Sequence, residues 1–144
     1  MTNKIAIAVL TSFLLTLFSC KTGPERIKIG MDNCSFCKMT MSDERFGAEV
    51  ITNKGKVFKF DDMHCILAWL RSGVVPVSSV KDIYFTDFCN GHQLINKNNS
   101  FFLKSDVLKS PMGGNTAAFS NTDSLKKMQE SFSGTNPGWD ELNK

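Results

Sequence analysis

Apolar residues recur at close to period two over Ala48–Thr52 and again over Lys56–Phe60, with Asn53-Lys54-Gly55 between them. Alternation around a Gly-containing break predicts a β-hairpin. Asp61 and Asp62 follow where a helix N-cap and a first-turn acid belong. Met63–Leu70 then reads as an almost wholly apolar helix, stopped by Ser72-Gly73 and Pro76. Val80–Phe88 is rich in β-branched and aromatic residues and predicts a strand. Gln93–Asn96 and Phe101–Lys104 flank the turn-like Lys97–Ser100 and predict a second hairpin. Ala117–Phe119 gives a short strand, and Thr122–Phe132 a helix capped by Asn121 or Thr122 and ended by Gly134. Residues 135–144, with Pro137-Gly138, are expected to form a loose tail.

The order hairpin, cap, helix, glycine occurs twice. Lys59-Phe60-Asp61-Asp62 leads into one helix, and Ala118-Phe119-Ser120-Asn121 into the other. The expected fold is therefore α+β, made of two small β-β-α-β units with antiparallel sheets.

The start of the chain has a different character. Lys4 is followed by the apolar run Ile5–Phe18, and Leu17-Phe18-Ser19-Cys20 looks like the lipobox of bacterial lipoproteins. Residues 1–19 are thus expected to be a removed signal peptide and Cys20 the lipidated first residue. Residues 20–29 would be anchor and tether, and residues 30–134 the folded domain. The expected location is the bacterial cell envelope, on a lipid anchor facing the periplasm.

Charge adds mainly exclusions. The 144 residues carry a formal net charge of +3, and removing residues 1–19 takes away only Lys4, leaving 16 basic side chains against 14 acidic. A surface so mixed does not suggest nucleic acid, whose phosphates require clustered Lys and Arg. After residue 19 no apolar run is long enough for a transmembrane helix.

Sulfur is what stands out. Beyond Cys20 the chain has Cys34, Cys37, Cys65 and Cys89, and several of its seven Met lie beside them. Cys34-Ser35-Phe36-Cys37-Lys38-Met39-Thr40-Met41 has little helix or strand periodicity and reads as a loop. Thiolate and thioether are soft donors that favour Cu(I) over Mg, Ca or Mn. Thioethers also remain ligands without losing a proton and cannot close into a disulfide. From the residues alone, Met39 and Met41 are open to two readings, soft-metal ligation or core filling. Met112, in the loop Ser110-Pro111-Met112-Gly113-Gly114, lies off any periodic apolar face and is a further candidate. Met63 and Cys65 in the apolar helix read as core. His64 and His92 read as solvated, and Asp61, Asp62 and Asp87 as capping or hydrogen-bonding groups.

The lipobox, Met31-Asp-Asn-Cys-Ser-Phe-Cys-Lys-Met39, Arg45-Phe46-Gly47-Ala48, Phe58-Lys-Phe-Asp-Asp62, Tyr84-Phe-Thr-Asp87 and Pro111-Met-Gly113 with Phe119 follow one another in order. Together they resemble the NosL family, membrane-anchored copper-binding accessory proteins of nitrous oxide reductase maturation. The resemblance implies a Cu(I) carrier, not an enzyme. Its ligands would be Cys37, Met39 and Met112, with Cys34 as an additional candidate. It would deliver copper to the nitrous oxide reductase assembly apparatus or to the reductase itself. Two other readings stay open. One is an extracytoplasmic thiol–disulfide oxidoreductase using Cys34 and Cys37, although no strand-then-helix context lowers a thiol pKa there. The other is a structural zinc module of Cys34, Cys37, Cys65 and Cys89, whose second pair has poor zinc-site spacing.

Overall fold

A computed structural model describes residues 23–144, so the expected signal peptide and Cys20 lie outside the described residues. Strands β1 (Ala48–Thr52) and β2 (Val57–Phe60) form the expected hairpin, with Ala48 opposite Phe60 and Ile51 opposite Val57. Its turn closes through Gly55 N–H donating to Thr52 O at 2.8 Å, with Gly55 at φ +77°. That backbone conformation suits glycine because it has no Cβ. Helix α1 (Met63–Ser72) starts at Asp62, whose side chain accepts from Cys65 N–H, and ends on Gly73 in the left-handed region. Its buried face lies on the first sheet, where the Trp69 ring sits 4.7 Å from Phe58 and 5.2 Å from Phe60. Strand β3 (Val80–Thr86) pairs antiparallel with β1.

Strand β4 (Leu94–Asn96) pairs with β3, giving a four-stranded sheet of order β2-β1-β3-β4. Strands β5 (Phe101–Lys104) and β6 (Thr116–Phe119) form a separate two-stranded antiparallel sheet. Helix α2 (Thr122–Phe132), capped by Asn121, packs Leu125, Met128 and Phe132 against that sheet's core. The second unit ends in miniature. Its last strand is reduced to a bridge between Thr135 and Lys104. The fold is thus α+β with antiparallel sheets, and the two units meet along Asp87–Phe88, where Phe88 N–H donates to Ala118 O at 2.8 Å. Among the described residues no helix is long and apolar enough to cross a membrane.

The structure corrects two expectations. Gln93–Asn96 and Phe101–Lys104 do not form a hairpin with each other; they belong to different sheets. The chain has already turned at 87–93, where Asp87 accepts from the N–H groups of Cys89 and Asn90 and its own N–H donates to Gln93 O. That turn folds β4 back onto β3, and residues 97–99 become a 3₁₀ crossover between the sheets. Nor are residues 135–144 loose. Pro137 is buried, and Trp139 opens a short helix α3 (Trp139–Leu142) with its ring 5.5 Å from Phe85 and 6.5 Å from Phe102. Pro137-Gly138 turns the chain back over aromatic surface that both units contribute.

Part of the stretch expected to serve as a tether, residues 20–29, is bound to the fold. Glu25 N–H donates to both carboxylate oxygens of Glu49, at 3.0 and 3.2 Å, and the backbone around Lys28 bonds to Asp32. The chain is therefore held as a strap from residue 25, along the face of β1 that Glu49 shows, while Ala48 and Val50 pack in the core with α1.

Candidate metal centre

The Met31–Met41 segment forms a small irregular hairpin. Met41 N–H donates to Asp32 O at 2.9 Å, Cys34 N–H to Met39 O at 2.8 Å, and Lys38 N–H to Cys34 O at 3.0 Å. Lys38 takes φ +67° at the return. The tip is fastened to β2 by Ser35 N–H to Lys59 O at 2.7 Å and by the Lys59–Asp32 ion pair at 2.8 Å. Because β2 runs directly into Asp61, Asp62 and α1, this fastening sets Cys34 and Cys37 beside the first turn of the helix.

Cys65 occupies that turn. The sulfur atoms of Cys34, Cys37 and Cys65 all lie within 4.8 Å of one another. Cys34 and Cys65 are buried and Cys37 is half-buried, so the triad has two inner sulfurs and one that reaches the surface. Its electrostatics are uneven. The Cys65 thiol donates to Cys34 and, with the backbone N–H groups of Cys37, Asp61 and Phe36, overcomes the effect of burial and lowers the Cys34 pKa to about 5. Cys65 is correspondingly raised, by that same hydrogen bond and by burial. Burial also raises Cys37, and the Cys34 charge adds to the rise. The first negative charge of the cluster therefore resides on Cys34. Burial raises the Asp61 carboxyl nearby, and its Oδ2 is the one buried side-chain oxygen without a hydrogen-bond partner among the described residues.

The Ser110–Gly114 loop of the second unit docks on the N-terminus of α1. There Met112, half-buried, packs against the hydrophobic cluster that contains Cys34 and Cys65. Met39 stays at the rim with half of its surface exposed, tied to the site through its backbone. Met41 is fully buried next to Gly47 and belongs to the core.

Cys65 departs from its reading as core alone. It is fully buried, but it is also the third sulfur of the cluster. Cys89 is exposed and all four described cysteines are free, so a four-cysteine site with Cys34, Cys37 and Cys65 is not assembled. His64 is exposed, with its ring edge-on to Phe36 at 6.4 Å. His92 is held in the β3–β4 turn, its Nδ1 3.2 Å from Asp87 O. Asp62 and Asp87 cap and bridge, as expected.

The class these features define is a two-unit α+β protein with a sulfur-rich cluster of the soft metal-ligand type where the units meet. The NosL family profile matches residues 28–144, and the chain belongs to that family. Among solved structures it is similar to the crystal structure of the copper chaperone NosL from Shewanella denitrificans, with a TM-score of 0.70 and 20% sequence identity. The match covers 85% of this chain and 96% of that one, and at such identity it speaks for the fold. No curated protein sequence matches the chain.

Proposed function

We propose that the protein is a Cu(I) metallochaperone, anchored by lipid on Cys20 in the bacterial cell envelope and facing the periplasm. It delivers copper for assembly of the nitrous oxide reductase copper centres, to the assembly apparatus or to the reductase itself. The observation that carries this reading is the convergence of Cys34, Cys37 and Cys65 within 4.8 Å beside the Met112 loop. Thiolate and thioether suit Cu(I), whereas zinc prefers Cys, His and carboxylate in a closed four-ligand shell.

Carriage follows from the uneven burial. Cys34 and Cys65 form the enclosed side of the site. Cys37 and Met39 form its open side, where a partner's sulfur enters and takes the ion by ligand exchange. No electron moves in that step; the ion stays Cu(I) throughout, and thiol protons leave as it binds. Thiol–disulfide exchange fits less well. The acidic sulfur, Cys34, is only 1% exposed, and the accessible one, Cys37, has its pKa raised. An exchange enzyme needs the opposite assignment, a thiolate at the surface.

Titrating the protein with Cu(I) and Zn(II) against a competing chelator tests the reading. The reduced protein should bind one Cu(I) in preference to Zn(II), and oxidation to a disulfide within the triad should remove most of that affinity. Zn(II) that outcompetes Cu(I), or equal Cu(I) affinity in both redox states, would count against it. The anchor and destination are checked in cells. Cys20→Ala protein should carry no acyl label, and cells without the protein should make reductase poor in copper. Persistent label on Cys20→Ala, or fully loaded reductase, would refute the corresponding part.

A further inference from the structure

Asp62 joins the two units through a single buried side chain. Its Oδ1 accepts Cys65 N–H at 3.2 Å and so caps α1. Its Oδ2 accepts three donors from a loop about 50 residues further along: the Ser110 hydroxyl at 2.6 Å, Met112 N–H at 3.0 Å and Gly114 N–H at 3.0 Å. The side chain has no exposed surface. Hydrogen bonds to a carboxylate are roughly twice as strong as neutral ones, and a low-dielectric setting strengthens them further.

The loop is shaped to receive it. Ser110 N–H donates to Asn115 Oδ1 at 3.2 Å, and Asn115 N–H donates back to the Ser110 hydroxyl at 2.8 Å. Gly113 takes φ +74°. Gly114 lies so close to the helix that a Cβ there would stand 2.6 Å from His64 N and 3.1 Å from Asp62 Oδ2. The segment between β5 and β6 thus converges its N–H groups on one oxygen.

The geometry assigns Asp62 as the positioning residue of the metal site. By holding the Met112 backbone with one oxygen and the Cys65 backbone with the other, it presents a thioether from the second unit and thiols from the first as one preformed set. This inference rests on the copper-carrier reading and adds to it how the Met112 donor is placed.

Two variants of the purified protein separate this role from general stability. Asp62→Asn keeps an N-cap of comparable quality, but one of its two terminal atoms becomes a donor and cannot accept from the loop. Gly114→Ala leaves Asp62 and the cap intact and pushes the loop away sterically. Each should keep cooperative thermal unfolding and lose about 10–100-fold in Cu(I) affinity, the usual effect of removing a group that orients a ligand. In a Met112→Leu background neither should cause further loss. If Met112→Leu weakens binding while both variants bind like the parent, the positioning role is overturned and the carrier reading stands. The same follows if the loss is as large with Leu at position 112 as with Met. A parent protein that fails to bind Cu(I) at all overturns the carrier reading and, with it, this inference.

Discussion

Cys65→Ser should weaken Cu(I) binding by about a hundredfold. For structural zinc the apparent binding free energy is about 10–16 kcal/mol over four ligands, so one thiolate contributes about 3 kcal/mol, or roughly two powers of ten. Serine preserves the size of the side chain and can still donate to Cys34, so the first turn of α1 should survive. The comparison is Cys89→Ser, at an exposed cysteine outside the triad. Chelator competition should show unchanged affinity for that variant. Parental affinity in Cys65→Ser would mean that Cys65 merely fills space beside the ion.

Glu49→Gln should stabilise the fold at alkaline pH and leave it nearly unchanged in acid. Glu49 lies in β1 between Lys59 of β2 and Tyr84 of β3, and it has no exposed surface. Burial raises its pKa from 4.5 to about 7, against the opposing pull of the Glu25 N–H and the Lys59 charge. The folded protein therefore holds this proton more tightly than the unfolded chain. The stability that Glu49 contributes is fully present below pH 4.5 and is lost as pH rises through about 7. At 1.36 kcal/mol per unit, the change amounts to about 3 kcal/mol. Glutamine retains an acceptor for Glu25 N–H but has no proton to lose. Urea unfolding at pH 4 and pH 8.5 measures both arms; an equal gap between variant and parent at the two pH values would contradict the argument.

The local elements were legible because each rests on neighbouring residues. Gly55 marks the first turn, the Asp61-Asp62 pair and Asn121 the two helix starts, although the cap falls on Asp62 and the first turn holds no acid, and Gly73 a helix end. What could not be read was pairing between distant segments. The residues of 93–104 suit a hairpin, but only the Asp87 turn decides that β4 returns to β3. Pro137-Gly138 reads as a loose end until Trp139 meets Phe85 and Phe102, which the sequence places far away.

The site divides along the same line. Cys34 and Cys37 announce themselves by spacing, and Met112 by its Pro/Gly loop. Cys65 sits in an apolar helix, where burial was foreseeable but its neighbours were not. They come from the bond between Ser35 and Lys59, which lays the cysteine loop beside β2. One local signal pointed there: Cys65 falls in the first helical turn directly behind the Asp62 cap, at the end of the helix that β2 leads into. The Met pair separates for a plain reason of packing. Met41 fits under Gly47, whereas half of the Met39 surface stays open.

Under the proposed lipid anchoring, the strap at Glu25 would also limit how far the protein can travel. Only four residues, Lys21 to Pro24, lie between Cys20 and the point where Glu25 is bonded to Glu49, and the five steps from Cys20 to Glu25 span at most about 18 Å. With the proposed lipid on Cys20 in a bilayer, the domain would be confined to a shallow layer against the lipid headgroups and would search sideways along the membrane. A recipient in the proposed copper transfer would have to offer its own sulfur within that layer, and one floating free would first have to come down to the surface. So short a leash would make encounters a two-dimensional problem and would raise the local concentration of the protein for membrane-bound partners alone.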